Sequence, residues 1–339
     1  MIALMAQPGM QHTMKEGAVT TLMRGLLIAA AWLQASAAAA QTYPSRPVHL
    51  IVPFAPGGPT DVIGRIVAQK LSESFGQQVY VEDVPGAGGN IGTAMVAKAR
   101  PDGYTMLVLS TGFMVNPSLY AKVPYDPIKD FAPITLVAAS PNVLSVNPQM
   151  PAHSVKELIE LVKASPGSLS FAQPGTGSTP HLAGELFKLR FNLDLVMVPF
   201  NGAAPAINST LGGHTPILFT ALPPALGNIL DGKLRALAVL SGKRAAALPE
   251  VPTMAQAGVP DQESDTLTGL AAPAGTPPEI VARWQAEVAH AVALADVKQR
   301  LDDLGFEAIA DTPADFGERI KSEIAKWGKV VHDAHLTAE

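Results

Sequence analysis

The sequence predicts an α/β protein of two lobes, each a mostly parallel sheet flanked by helices, joined by two crossing strands. Three observations carry this. Apolar strand-like runs alternate with amphipathic helical runs through most of the chain, the pattern of βαβ units. The strand-like runs are continuously apolar, as in strands covered on both faces. Two extended runs, "LVAASPNVLSVNP" from Leu136 and "DTLTGLAAPAGTPPEIV" from Asp265, interrupt the alternation where a chain would cross between lobes.

The first segment lies outside this scheme. "MRGLLIAAAWLQASAAAA" carries Arg24, then an apolar run, then small residues, and Ala38 and Ala40 form an A-x-A pattern before Gln41. This is the anatomy of a secretory signal peptide cleaved after Ala40, with Met1 or Met23 as the start. Residues 1–40 are therefore read as signal peptide, 41–140 plus 267–339 as the first lobe and 141–266 as the second. The remaining length, about 300 residues, is enough for two cores. The chain has no Cys, which excludes disulfides, thiolate catalysis and Cys-ligated metals. The net charge is −5 and only 6% of residues are aromatic, which argues against a nucleic-acid partner. No apolar run after the signal is long enough to span a membrane.

In chain order, "VHLIVPF" is the first strand, and Val62, Ile63, Ile66, Val67 and Leu71 mark one face of the helix after it. "QVYVEDV", a helix near Ile91 to Ala99 and the strand "YTMLVLS" follow. Beyond the first crossing, Ser154 and Glu157 form a capping box at the start of "HSVKELIELVKAS". Three strand–loop–helix junctions come next: "SLSFAQPGTGSTPHLAGELFKL", "LDLVMVPFNGAAPAINSTL" and "TPILFTALPPALGNIL", and then the strand "LRALAVLS". After the return crossing, Pro277 and Pro278 open a helix with Ile280, Trp284, Val288 and Val292 on one face. Thr312 caps the last helix, with Pro313 at its first position and Asp315 in its first turn.

Glycine- and proline-rich loops lie between strand and helix at "VPFAPGGPTD" and "VEDVPGAGGNIG", and at the three junctions of the second lobe. In open α/β sheets, ligands sit outside the carboxyl ends of the strands. A cleft there would be lined by helix N-termini, which favour anions. Neither of the first two loops contains Lys or Arg, so backbone amides would have to hold the anion. A dinucleotide reading of "GAGGNIG" fails, because glycines at 86, 88, 89 and 92 miss the G-x-G-x-x-G spacing. There is no G-x-S-x-G elbow and no visible nucleophile–base pair, so the chain is not read as an enzyme or exported hydrolase. His332 and His335 read as a solvated helix end rather than metal ligands, and no cofactor is expected.

Taken together, "YPSRPVHLIVPFAPGGPTD", "VPGAGGNIGTAMVAKARPDGYT", "GTGSTPHLAGELF", "VPFNGAAPAI", "GKLRALAV" and "APAGTPPEIV" resemble the Bug family, the TctC-like periplasmic substrate-binding proteins of tripartite tricarboxylate transporters. The resemblance covers nearly all of the mature chain. It implies a type II-like periplasmic binding protein fold, a small carboxylate-bearing ligand gripped between the lobes, and hinge closure. The implied partner is a membrane transporter, or alternatively a membrane signalling receptor, and the chain is expected to be a monomer. With the loops, it nominates Phe54, Pro56, Gly57, Gly58, Thr60, Asp61, Ala87, Gly88, Gly89, Asn90 and Thr111 from the first lobe. From the second it nominates Thr176, Ser178, His181, Phe200 and Thr220. Asp61 fits better as a staple of its helix than as an anion contact. For His181, a neutral ring hydrogen-bonded within the lobe and a ligand contact both fit. Many family members have Tyr at the Phe200 position, Asp at Thr220, and Trp near Leu267 and Thr268. These departures favour a ligand without an ammonium group, a dicarboxylate or an aromatic carboxylate.

Overall fold

β1 (Val48–Val52), apolar except for His49, lies at the middle of a parallel set and pairs in parallel with β2 (Val79–Asp83) and β3 (Thr105–Ser110). The computed structural model describes residues 43–338; the proposed signal peptide and its cleavage site lie outside them. The chain divides after Ser45, and every strand and helix named belongs to the body from Arg46 onward. Each parallel strand runs into a helix: α1 (Pro59–Phe75), α2 (Asn90–Ala97) and α3 (Gly112–Leu119). Ile63, Ile66, Val67 and Leu71 are buried on the sheet-facing side of α1, as their helical spacing requires.

β4 (Phe131–Val146) is the longest strand. Its first part, through Pro141, pairs antiparallel with β9 (Asp265–Pro273). From Asn142 to Val146 it pairs instead with β7 (Ile217–Ala221) and, over nearly the same residues, with β8 (Arg235–Val239). Pro141 has no N–H to give the ladder, so a change of partner follows it naturally. β7 pairs in parallel with β5 (Ser170–Gln173), and β5 with β6 (Val196–Pro199). The strand order is thus β2-β1-β3-β9-β4-β7-β5-β6. Each end of it shows three parallel strands followed by one long antiparallel strand.

The second half supplies α4 (Val155–Ala164), α5 (Thr179–Phe191), α6 (Ala203–Leu211) and α7 (Leu222–Leu230). Half of the capping box forms: Glu157 N–H donates to Ser154 Oγ, while Glu157 Oε2 reaches one residue beyond the N-cap and accepts from His153 N–H. The chain ends with α8 (Pro278–Ala293), α9 (Ala295–Asp303), the two-residue strand β10 (Glu307–Ala308) on β4, and α10 (Pro313–Asp333). Thr312 Oγ1 accepts from Asp315 N–H at 3.1 Å, the cap expected from the sequence. One core lies in the first half around Leu107, Phe113, Phe131 and Phe316. Two more cover the faces of the second sheet, around Phe171, Phe187 and Phe219 and around Leu218, Leu222 and Val239. A fourth apolar cluster joins the halves: Val115 and Leu119 of α3, Trp327 and Val331 of α10, and Leu182 of α5.

Candidate functional site

Each of the six parallel strands ends at the N-terminus of a helix. The helices α1, α2 and α6 begin at Gly58, Gly89 and Gly202, and α7 begins after Ala221, none with a side-chain cap. The first backbone N–H groups of a helix have no partner within it. The loops before these helices, together with those before α3 and α5, contain no Lys or Arg. Pro59, Pro205, Pro223 and Pro224 carry no N–H, so the donors are the remaining first-turn amides; helix N-termini of this kind, with no cation in their loops, favour a small anion.

In the first half, Gly57 has φ +85° and its N–H donates to Asp61 Oδ2 at 2.8 Å. Asp61 Oδ1 also meets Arg65 Nε at 2.6 Å, and Arg65 reaches Asp83 at 2.6 Å. The carboxylate of Asp61 therefore staples its loop, and two carboxylates hold the nearest cation. Phe54 is half-buried, Pro56 and Gly57 are exposed, and Thr60 is buried. In the second loop, residues 86–89 all have positive φ, Ala87 included. This loop is packed closely: a Cβ on Gly88 would lie 2.7 Å from Tyr120 Oη, and one on Gly89 3.0 Å from the Phe54 ring. Asn90 faces inward, its Oδ1 accepting from Asn116 Nδ2 at 2.8 Å and from the Tyr125 hydroxyl at 3.2 Å. Asn116 Nδ2 also donates to Gly88 O at 2.9 Å. Thr111, almost fully buried, binds the crossing strand: Leu267 N–H donates to its Oγ1 at 2.9 Å.

In the second half, Thr176 is exposed and Ser178 caps α5 by accepting from His181 N–H at 3.3 Å. His181 is 1% exposed, and its Nδ1 accepts from Gly177 N–H at 3.1 Å. Burial first, and Lys188 second, push its pKa down to about 4, so the ring is neutral with its proton on Nε2. Phe200 is half-buried beside this loop, its carbonyl 3.8 Å from the Cβ position of Gly175. Thr220 is 0% exposed and its hydroxyl has no partner in the structure.

The two halves meet where Gly177 faces α3. A Cβ there would stand 2.5 Å from Leu119 Cδ2 and 3.7 Å from Asn116 Oδ1. The structure thus gathers Phe54, Gly88, Gly89 and Asn90 around Asn116 in one half, with the loop carrying Thr176, Ser178 and His181 against them. Pro56, Gly57 and Gly58 stand at the open rim, while Thr111 and Thr220 lie beneath the surface. Asn116, Gly112 and Gly177 were not nominated from the sequence. Asn116 was visible as an amide inside the apolar stretch "GFMVNPSL", where a buried polar group needs a partner.

His181 gives a test of this geometry. Its folded pKa of about 4 lies below the unfolded 6.5, so its stabilisation is complete above 6.5 and is lost as pH falls toward 4. Between pH 7 and pH 5 this amounts to about 2 kcal/mol. Asp265, whose carboxyl burial pushes up to about 7, acts with the opposite sign, so His181 must be isolated by substitution. Urea unfolding at the two pH values should show a smaller change for His181→Asn, which keeps an acceptor for Gly177. Equal changes in both proteins would place a charged or solvated ring at this position.

An α/β chain of two halves, whose parallel strands run into uncapped helix N-termini, has the architecture of a two-lobed solute-binding protein. The sequence profile of the tripartite tricarboxylate transporter family receptor, TctC, matches residues 63–336, and the chain belongs to that family. It is 39% identical over 311 residues to protein BugT of Bordetella pertussis, covering 91% of this chain and 95% of BugT. Among solved structures, Rhodopseudomonas palustris Rpa4515 with adipate is 36% identical with a TM-score of 0.81, over 87% of this chain and 99% of that one. MatC of the same organism, with bound malate, is 33% identical with a TM-score of 0.78, over 85% of this chain and all of that one. Among the described residues, no helix is long and apolar enough to cross a membrane.

Proposed function

We propose that this chain captures a small organic anion with at least one carboxylate between its two halves and delivers it to the membrane components of a tripartite transporter. The observation that carries this is the pair of facing loop sets, rich in uncapped helix N-termini and free of Lys and Arg. Each helix terminus favours a carboxylate by roughly 0.3–2 kcal/mol. Fixed N–H groups impose direction on the carboxylate, and its departure strands no mobile cation in the cleft. The relatives solved with adipate and malate support a dicarboxylate. The hinge is taken at Pro141–Asn142 and Ser264–Asp265, where the strands change partners.

The test is calorimetry on a series of four- to eight-carbon aliphatic dicarboxylates and on benzoate, with small-angle scattering of the saturated protein. Saturable binding of one of them with a smaller radius of gyration is expected. At about 100 times its dissociation constant, the ligand should add roughly 2.7 kcal/mol to the stability. Absence of binding across the series would overturn the ligand class, and binding at unchanged radius would overturn closure.

The family's solved members are periplasmic. For this chain we propose export with cleavage after Ala40, so Edman sequencing of the periplasmic protein should begin at Gln41. A mature protein that retains Met1 or Met23 would contradict this.

A further inference from the structure

Three buried polar side chains and the half-buried Thr266 meet where the two crossing strands reach α5. Thr266 Oγ1 donates to Asn142 Oδ1 at 3.1 Å. Asn142 Nδ2 donates to Ser264 Oγ at 2.8 Å, and Ser264 Oγ donates to the Thr179 carbonyl at 3.3 Å. Thr266 has one hydroxyl proton, already given to Asn142, so the 2.5 Å contact between Thr179 Oγ1 and Thr266 Oγ1 is a donation from Thr179. The four bonds close a ring, every donor pointing the same way round. Asn142 and Ser264 are 0% exposed and Thr179 is 3% exposed.

We propose that Asn142, Thr179, Ser264 and Thr266 are positioning residues for ligand capture. The ring fixes the first turn of α5, and with it the Gly175–Ser178 loop, to both strands on which the halves would rotate. This rests on the reading that the ligand lies between the halves. Polar groups in a dry hinge contribute little net stability over apolar ones of the same shape, but they fix a single geometry. On the other side of the same strand, Thr111 accepts from Leu267 N–H and donates to the Asp265 carbonyl. Residues 265–267 are thus held from the second half through Thr266 and from the first through Thr111. A shift of the α5 loop against a bound anion must move the hinge strand with it, so loop contact and rotation occur together.

Thr266→Val keeps the shape and removes both ring bonds at that position; Thr266→Ser restores the hydroxyl. Two readouts separate positioning from bulk stability. In the ligand-free protein, amide hydrogen exchange at Gly177 through Leu182 should accelerate at least tenfold in the Val variant and return to wild type in the Ser variant. With adipate as probe, the Val variant should release ligand at least tenfold faster in stopped-flow measurements, and the Ser variant at the wild-type rate. Unchanged exchange at the loop overturns the proposal, whatever happens to the melting temperature. An unchanged release rate also overturns it. If wild-type protein does not bind adipate, the choice of ligand fails, and the exchange measurement alone decides the role of the ring.

Discussion

Replacing Gly58 with valine is expected to abolish carboxylate binding in a protein that remains folded. Gly58 is the N-cap of α1 with φ −78° and ψ 167°, extended backbone that any residue adopts. A Cβ there meets nothing closer than Ala55 O at 3.8 Å. Valine is a poorer N-cap than glycine, which costs about 1 kcal/mol at most. The added side chain enters open space at the start of α1, where the anion is proposed to sit. Lifting the carboxylate off those donors removes charge-assisted hydrogen bonds of roughly 1.5–3 kcal/mol each, so loss of one or two lowers affinity by about 10-fold to 10,000-fold. Gly177→Val is the contrast. Gly177 has φ +81°, disfavoured for a β-branched residue, and its Cβ would be driven into Leu119, which is 2% exposed and packed between the halves. That variant should lose both stability and binding. Calorimetry with the best dicarboxylate, alongside thermal unfolding, distinguishes the two. Full affinity in a folded Gly58→Val protein would remove the first loop from the binding site.

The fold was legible because its signals are local. Apolar runs, Pro at helix starts, and the caps at Ser154 and Thr312 each reflect bonds within a few residues. The loops were legible for the same reason: glycines between strand and helix mark turns at positive φ that other residues adopt poorly. Two expectations gained physical detail. Of the two roles open to His181, the structure shows the neutral ring bonded within its own lobe, and burial is the larger cause, with Lys188 behind it. Asp61 was better placed as a staple than as an anion contact, and its carboxylate is engaged by Gly57 N–H and Arg65. What could not be read was long-range. Asn116 joins Asn90 and Gly88 across about a quarter-hundred residues of chain. Thr266 joins Asn142 from the opposite crossing strand. Neither residue belongs to a local motif, and a lone Asn or Thr in an apolar run says only that a partner exists somewhere.

A ligand without an ammonium group is expected to bind this chain more tightly than its amino counterpart, by roughly 10- to 100-fold. A buried ammonium needs a carboxylate or several fixed acceptors, because leaving it underpaired costs most of its lost hydration. The strand–helix loops offer Asp61 as their one acidic side chain, and Gly57 N–H and Arg65 already hold it. At the end of β7 the chain has Thr220, a neutral hydroxyl with no exposure to solvent. Phe200 places its carbonyl near the Gly175 loop and packs its half-buried ring against the core of the second half, so it adds no polar acceptor at this end of the sheet. Matched pairs measured by calorimetry test this: succinate against aspartate, and glutarate against glutamate. Thr220→Asp sharpens the comparison. Its carboxylate would be buried with no Lys or Arg in the surrounding loops, so the variant should hold a dianion less tightly through like-charge repulsion and be less stable above its raised pKa. Tighter binding of the amino acids to the wild-type chain would mean that an acceptor for ammonium exists in the cleft and that this account of its charge is wrong.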